Sequence, residues 1–216
     1  MRVFVTGTDT GVGKTVASAW LCLHTGADYW KPVQTGHSPT TGADRDADEV
    51  ARLSGARIHP ERYLLRLPRS PHEAAALEGL RLGLDDFVLP QTTKRPLVIE
   101  GAGGVLVPIN EDETMLDLMA RLAAPVLVVA RTGLGTINHT CLTLQALRAH
   151  ALPVLGVILC GEPDCEESGQ ANAEAIERFG HVRVLGRIPP LTPLTREALL
   201  GIAPASEALD WVRWKT

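Results

Sequence analysis

Gly7-Thr8-Asp9-Thr10-Gly11-Val12-Gly13-Lys14-Thr15 is the stretch on which the reading of this chain turns. An apolar run, Val3-Phe4-Val5, leads into it, and a helix-compatible stretch at 14–24 follows. Strand, glycine-rich turn and helix in that order build an anion site. Glycines let the backbone curl until its N–H groups converge on phosphate oxygens. The helix start adds the positive end of its dipole. At this spacing Lys14 can reach the β/γ-phosphates of a nucleotide, and the Thr15 hydroxyl can ligate Mg2+. The usual phosphate loop has a glycine where Thr8 stands, and here Gly7 lies one residue earlier, so the loop is a longer variant.

Outward from this loop, short apolar runs at 2–6, 29–33, 97–100, 126–130, 154–159 and 182–188 read as strands. All but the last are continuously apolar, as expected of strands covered on both faces. Amphipathic stretches at 14–24, 46–54, 114–122, 136–150 and 167–179 alternate with them. The alternation predicts an α/β fold, a doubly wound, mostly parallel sheet with helices on both faces; with the loop above at the end of its first strand, it resembles the phosphate-loop NTPases. Segment 60–90 holds Pro60, Pro68, Pro71 and Pro90, which disfavours one continuous helix, so it reads as an excursion over one face. Residues 206–214 read as a short packing helix with Leu209, Val212 and a Trp on one side. Only two basic residues accompany it, too few for a membrane-surface helix.

The 216 residues suit a single domain. Lys plus Arg number 21 against 25 Asp plus Glu, and the net charge of −4 argues against a nucleic-acid partner. No apolar run approaches the ~20 residues that span a bilayer, so no membrane partner is expected. The N-terminus lacks the pattern of a secretory leader. Cys22, Cys141, Cys160 and Cys165 form no C-x-x-C pair and are too sparse for a disulfide scaffold. The expected setting is cytoplasmic.

In a doubly wound sheet, ligands sit beyond the carboxyl ends of the strands. Glu100 ends one strand, ahead of Gly101-Ala102-Gly103-Gly104, and a carboxylate there can hold Mg2+ directly or through water. Lys31 lies near the end of another, in Lys31-Pro32-Val33-Gln34-Thr35-Gly36, and suits negative charge on a moving phosphoryl group. Asp44-Arg45-Asp46-Ala47-Asp48-Glu49 opens a helix, and one of its carboxylates could be a metal ligand; the run alone does not say which. Arg131-Thr132-Gly133-Leu134-Gly135-Thr136-Ile137-Asn138-His139 is a second glycine-containing turn into a helix, hence a second anion site. His139 is given no role. No Ser/His/Asp or Cys/His arrangement is readable, and the cysteine spacing does not fit zinc.

Taken together and in order, the phosphate loop, the Lys31–Gly36 block, Ser70-Pro71-His72, the Glu100–Gly104 block and Leu134-Gly135-Thr136-Ile137-Asn138-His139 resemble the dethiobiotin synthetases. These blocks spread over about the first two thirds of the chain. The resemblance implies a reaction of 7,8-diaminononanoate (7,8-diaminopelargonate), CO2 and ATP. Amine N7 becomes a carbamate, the carbamate takes the γ-phosphoryl group, and the neighbouring amine closes a cyclic urea. It implies ATP as co-substrate and Mg2+ as cofactor. Lys31 would bridge carbamate and γ-phosphate as the leading catalytic residue, with Lys14 and Thr10. Gly11, Val12, Gly13, Lys14, Thr15, Val16, Asp46, Glu100, Gly101, Ala102 and Gly103 would bind the nucleotide. Thr15, Asp46 and Glu100 would hold the metal; Asp46 is preferred to Asp48 because Asp46-Ala47 with Val50 best fits the family pattern. Thr10, Lys31 and Thr35 would meet the carbamate or diamine end. Leu134, Gly135, Thr136, Ile137 and Asn138 would bind the substrate carboxylate from the partner subunit, so a homodimer with its active site at the subunit interface is implied.

One departure from the family pattern concerns the base pocket. Where the family often has Asn reading adenine, this chain has Cys160, then Gly161, with Pro189, Pro190 and Leu191 as the second wall. A thiol cannot reproduce the paired contacts of an amide, so relaxed nucleotide choice is expected. A nucleotide switch of the partitioning type is the rival reading. Such proteins normally carry an extra lysine early in the loop, where this chain has Gly7-Thr8-Asp9. A cobalamin-type amidase or ligase would usually need a further domain, for which 216 residues leave little room.

Overall fold

The computed structural model describes residues 1–37, 45–91 and 95–213. Its strands are β1 (Arg2–Gly7), β2 (Asp28–Trp30), β3 (Val33–Gln34), β4 (Ile58–His59), β5 (Tyr63–Leu64), β6 (Leu97–Gly104), β7 (Val126–Arg131), β8 (Val154–Cys160) and β9 (Val184–Ile188). Its helices are α1 (Lys14–Thr25), α2 (Asp46–Ser54), α3 (Pro71–Leu77), α4 (Met115–Leu122), α5 (Thr136–Ala149), α6 (Glu166–Gly180) and α7 (Arg196–Leu200). Seven strands form one parallel sheet in the order β4-β2-β6-β1-β7-β8-β9. The expected α/β class and doubly wound architecture are observed.

Strand β1 shows why continuous apolarity was needed. Phe4 turns into one core with Ile99, Val128, Met119 of α4, Leu144 of α5 and Ile176 of α6. Val3 and Val5 turn into the other with Trp20 and Leu21 of α1 and Val50 and Leu53 of α2. Residues of both parities are buried, so both must be apolar. Beneath the phosphate loop, Gly13 has φ 94°, and a Cβ there would stand 2.7 Å from Cys160 Cβ. Both conditions require glycine.

The structure departs from the sequence expectation in several places. The strand expected over 29–33 is broken. Pro32 has no N–H for the ladder, and its carbonyl accepts from Arg62 N (2.9 Å) and Tyr63 N (3.1 Å). The chain therefore leaves the main sheet at Trp30, and β3 pairs with β5 in a separate two-stranded parallel sheet. The run at 97–100 continues as β6 through Gly104, where it still pairs with Gly7 of β1. The last strand starts at Val184 instead of 182. The excursion at 60–90 contains β5 and α3, whose Pro71 sits at the helix start, and it lays Leu65, Leu82 and Phe87 into the core. The C-terminal stretch is a 3-10 helix, Ser206–Arg213, that buries Ala208 and Trp211 against α1 and the sheet. Trp214, and Asp44 of the acidic run, lie outside the described residues. No helix among the described residues is long and apolar enough to cross a membrane.

Candidate active site

The carboxyl ends of β1, β2 and β6 converge on one cavity of about 680 Å3. The loop after β1 wraps around Lys14, whose Nζ donates to the Asp9 carbonyl at 2.9 Å. The Asp9 carboxylate accepts from Thr10 N at 2.7 Å and from Arg131 at 2.9 Å, which ties the loop to the end of β7. Burial pulls the Lys14 ammonium below its ordinary range; nearby Lys31 adds to this, while Glu100, Asp46 and Asp9 oppose it.

Lys31 follows β2 directly and is 4% exposed. Its Nζ donates to Glu100 Oε1 at 3.0 Å and to the Asp46 carboxylate. Burial works against its charge, but Glu100 and Asp46 outweigh this and hold it above the ordinary lysine value. Lys31 is therefore a buried cation at neutral pH. Glu100, fully buried in β6, also accepts from Thr15 Oγ1 at 3.2 Å on Oε1 and from Tyr29 OH at 3.0 Å on Oε2. Burial, then Glu100, hold the Tyr29 hydroxyl well above the phenol range, so it is a neutral donor. Asp46 opens α2, and its N–H donates to Gln34 Oε1 at 3.2 Å. Gln34 Nε2 in turn donates to Thr35 O at 2.9 Å.

Thr10, Gly11, Gly13, Lys14, Thr15, Val16, Lys31, Thr35, Asp46, Glu100, Ala102 and Gly103 all line this cavity, as does Ser70 from the excursion. Gly101 lies behind it, against Phe4 of β1. A smaller cleft of about 210 Å3 adjoins the loop. Val12, Gly13, Val16, Cys160, Gly161, Pro189, Pro190 and Leu191 line it, and no side-chain amide is among them. The turn from Leu134 to Asn138 lines neither cavity of its own chain. Leu134 is 89% exposed and its N–H donates to Asp164 Oδ2 at 2.9 Å, while the Thr136 hydroxyl donates to Arg131 O at 2.6 Å. Asp48 points away, ion-paired to Arg45 at 2.7 Å on the surface.

Thr15, Glu100 and Asp46 together offer oxygen donors of the hard kind that Mg2+ takes. Among the described residues no three His, Cys, Asp or Glu side chains stand close enough to hold a metal by themselves. That fits Mg2+, which one or two carboxylates hold together with substrate phosphates and water. Two residues that hydrogen-bond to Glu100 and Asp46 escaped the sequence reading, as did Pro68, Arg69 and Val107 of the cavity lining. Tyr29 reads as one more core aromatic in an apolar strand, and Gln34 as an ordinary polar strand residue. Only the third dimension puts them against Glu100 and Asp46.

A parallel sheet with a lysine-bearing loop between β1 and α1, and with carboxylates at neighbouring strand ends, defines a phosphate-loop α/β protein. Residues 1–198 match the family model described as an AAA domain. Chloroplast FtsY from Physcomitrella patens shares the fold, at a TM-score of 0.50 and 16% identity over 98% of this chain and 64% of that one. Among sequence relatives, the chain is 54% identical to the ATP-dependent dethiobiotin synthetase BioD of Paramagnetospirillum magneticum, over 94% of each chain. It is 50% identical to the protein of the same name from Afipia carboxidovorans, over 92% of this chain and 91% of that one. The chain belongs to the dethiobiotin synthetases, a family of ATP-dependent ligases.

Proposed function

We propose that the chain acts as a single-domain, Mg2+-dependent dethiobiotin synthetase of the cytoplasm, converting 7,8-diaminononanoate, CO2 and ATP to dethiobiotin, ADP and phosphate. The observation that carries this reading is the pair of buried ammoniums, Lys14 and Lys31, in one cavity with Glu100. The reaction must bring an anionic carbamate against an anionic phosphate, and fixed cations in a water-poor site lower that barrier.

In this reading the N7 amine adds to CO2 and loses a proton, giving the carbamate. A carbamate oxygen bonds to the γ-phosphorus as ADP leaves, giving a carbamic–phosphoric anhydride. The N8 amine then attacks the carbonyl carbon, the C–O bond to phosphate breaks, and the amine proton is lost as the urea closes. Lys14 neutralises the β/γ-phosphates, and Lys31 holds carbamate and γ-phosphate together. Thr10 and Thr35 donate hydrogen bonds at the carbamate and diamine end. Thr15, Asp46 and Glu100 hold Mg2+, which when bound supplies positive charge to the phosphate oxygens. The cleft walled by Cys160, Pro189, Pro190 and Leu191 takes the base.

A homodimer completes the site in this reading. Exposed Leu106 and Leu142 border an apolar groove of about 470 Å3 beside Thr10 and His139; in this reading a second copy covers it and the turn from Leu134 to Asn138 binds the substrate carboxylate of the neighbouring subunit. The test is ADP release with Mg2+ and ATP, with and without the diamine and bicarbonate. ADP formation that needs both additions, with a product of cyclic-urea mass, is the expected result. ADP formation indifferent to the diamine would overturn the substrate assignment in favour of a nucleotide switch.

A further inference from the structure

We propose that Tyr29 is a positioning residue of this enzyme: its hydroxyl fixes one oxygen of Glu100, and so leaves the other aimed at Lys31, Thr15 and the metal. The proposal rests on reading Glu100 as a metal ligand.

The carboxylate of Glu100 has a divided set of partners. Oε2 accepts from the Tyr29 hydroxyl at 3.0 Å. Oε1 accepts from Lys31 Nζ at 3.0 Å and Thr15 Oγ1 at 3.2 Å, both from residues that line the cavity. Both Tyr29 and Glu100 have no solvent exposure, so water cannot stand in for the hydroxyl. Tyr29 is otherwise part of an apolar core with Trp20, Val50 and Leu53. Without its hydroxyl, Oε2 would face that core unpartnered. A buried carboxylate left so would turn toward the remaining donors, Lys31 and Thr15, and its affinity for a cation would fall. Partners of this kind behind a metal ligand commonly govern metal affinity about tenfold or more. The ring can keep its packing when the hydroxyl is removed, so Tyr29→Phe isolates the hydrogen bond.

The test is Mn2+ binding followed by electron paramagnetic resonance, with a non-hydrolysable ATP analogue present, alongside Mg2+ activation curves. Tyr29→Phe is expected to raise the half-saturating Mn2+ concentration about tenfold, and the Mg2+ for half-maximal activity in parallel. Val50→Ala, which removes apolar packing from the same core but no hydrogen bond from the carboxylate, is expected to lower Tm and leave Mn2+ affinity at the wild-type value. Unchanged Mn2+ affinity in Tyr29→Phe would overturn the positioning role while leaving Glu100 as a ligand. An equal loss in Val50→Ala would reduce it to a general packing effect and overturn it too. Nucleotide-dependent Mn2+ binding absent from the wild-type protein would bring down the metal reading itself, and the proposal with it.

Discussion

Lys31, just past the end of β2, meets Glu100 of the neighbouring β6 at 3.0 Å, as a buried ion pair beside the phosphate loop. Lys31↔Glu100 is the contact from which both the charge and the geometry of the cavity follow. Replacing Lys31 by Ala takes away the cation and strands the carboxylate. The expected outcome is a fall in kcat of about 10²–10³-fold with nucleotide affinity nearly unchanged. Stability should drop by about 3 kcal/mol, as is usual when one partner of a buried pair is lost. Steady-state kinetics and denaturant unfolding check both, and near-normal turnover would remove Lys31 from the mechanism.

Asp46 and Asp48 are two residues apart but face different surroundings, one on Lys31 and the other on Arg45 at the surface. Asp46→Asn should raise the Mg2+ needed for half-maximal activity by about tenfold or more. Asp48→Asn should leave it alone and change stability by less than about 1 kcal/mol. The reverse pattern in Mg2+ titrations of the two variants would show that the ligand had been assigned two residues early.

The cleft proposed for the base offers apolar walls and a thiol whose sulfur lies 4.0 Å from Gly13 O. Nothing in its side chains distinguishes an adenine edge from a guanine or cytosine edge. GTP or CTP should therefore support turnover with kcat/KM within about a hundredfold of ATP. A larger preference for ATP would mean that backbone groups, or a partner subunit, read the base.

Burial pushes the Cys160 thiol up to about 12, so it carries almost no thiolate at neutral pH. Cys165 is exposed. Iodoacetamide at pH 8 should label Cys165 readily and spare Cys160 until the protein unfolds, as mass mapping of alkylated peptides would reveal. Rapid labelling of Cys160 in the folded protein would contradict the tight packing between Cys160 and Gly13.

The sheet was legible because continuous apolar runs have one simple cause, burial on two faces, and because strand ends in such a sheet face a common crevice. That logic reached Lys31 and Glu100 directly, since a charged residue at the end of a buried strand is conspicuous, while Lys14 and Thr15 were legible from the glycine-rich loop and the helix start behind it. It could not reach Tyr29, whose ring satisfies the apolar pattern while its hydroxyl serves Glu100. Nor could it reach Gln34, whose amide acts on a helix start twelve positions away. The break after Trp30 was announced by Pro32, but the competing partner, the strand from Tyr63, came from a segment too irregular to read as a strand. The turn at Leu134 has the pattern expected of an anion site, yet within its own chain it lines neither cavity, and no reading of a single chain could say what it faces.

The strand order sets a sequence of events during synthesis. Among the described residues β1 finds its sheet partners only in β6 and β7, made after position 96. A nascent chain ending before that point has the phosphate loop but no neighbour for β1, no Glu100 and no floor beneath Lys31. The phosphate site cannot form before β6 clears the ribosome, and the cleft proposed for the base, walled by Cys160, Pro189, Pro190 and Leu191, is completed only by residues made later still. Until β6 emerges the apolar Val3-Phe4-Val5 strand is an open template for misassociation, and a holding chaperone is most needed over that interval.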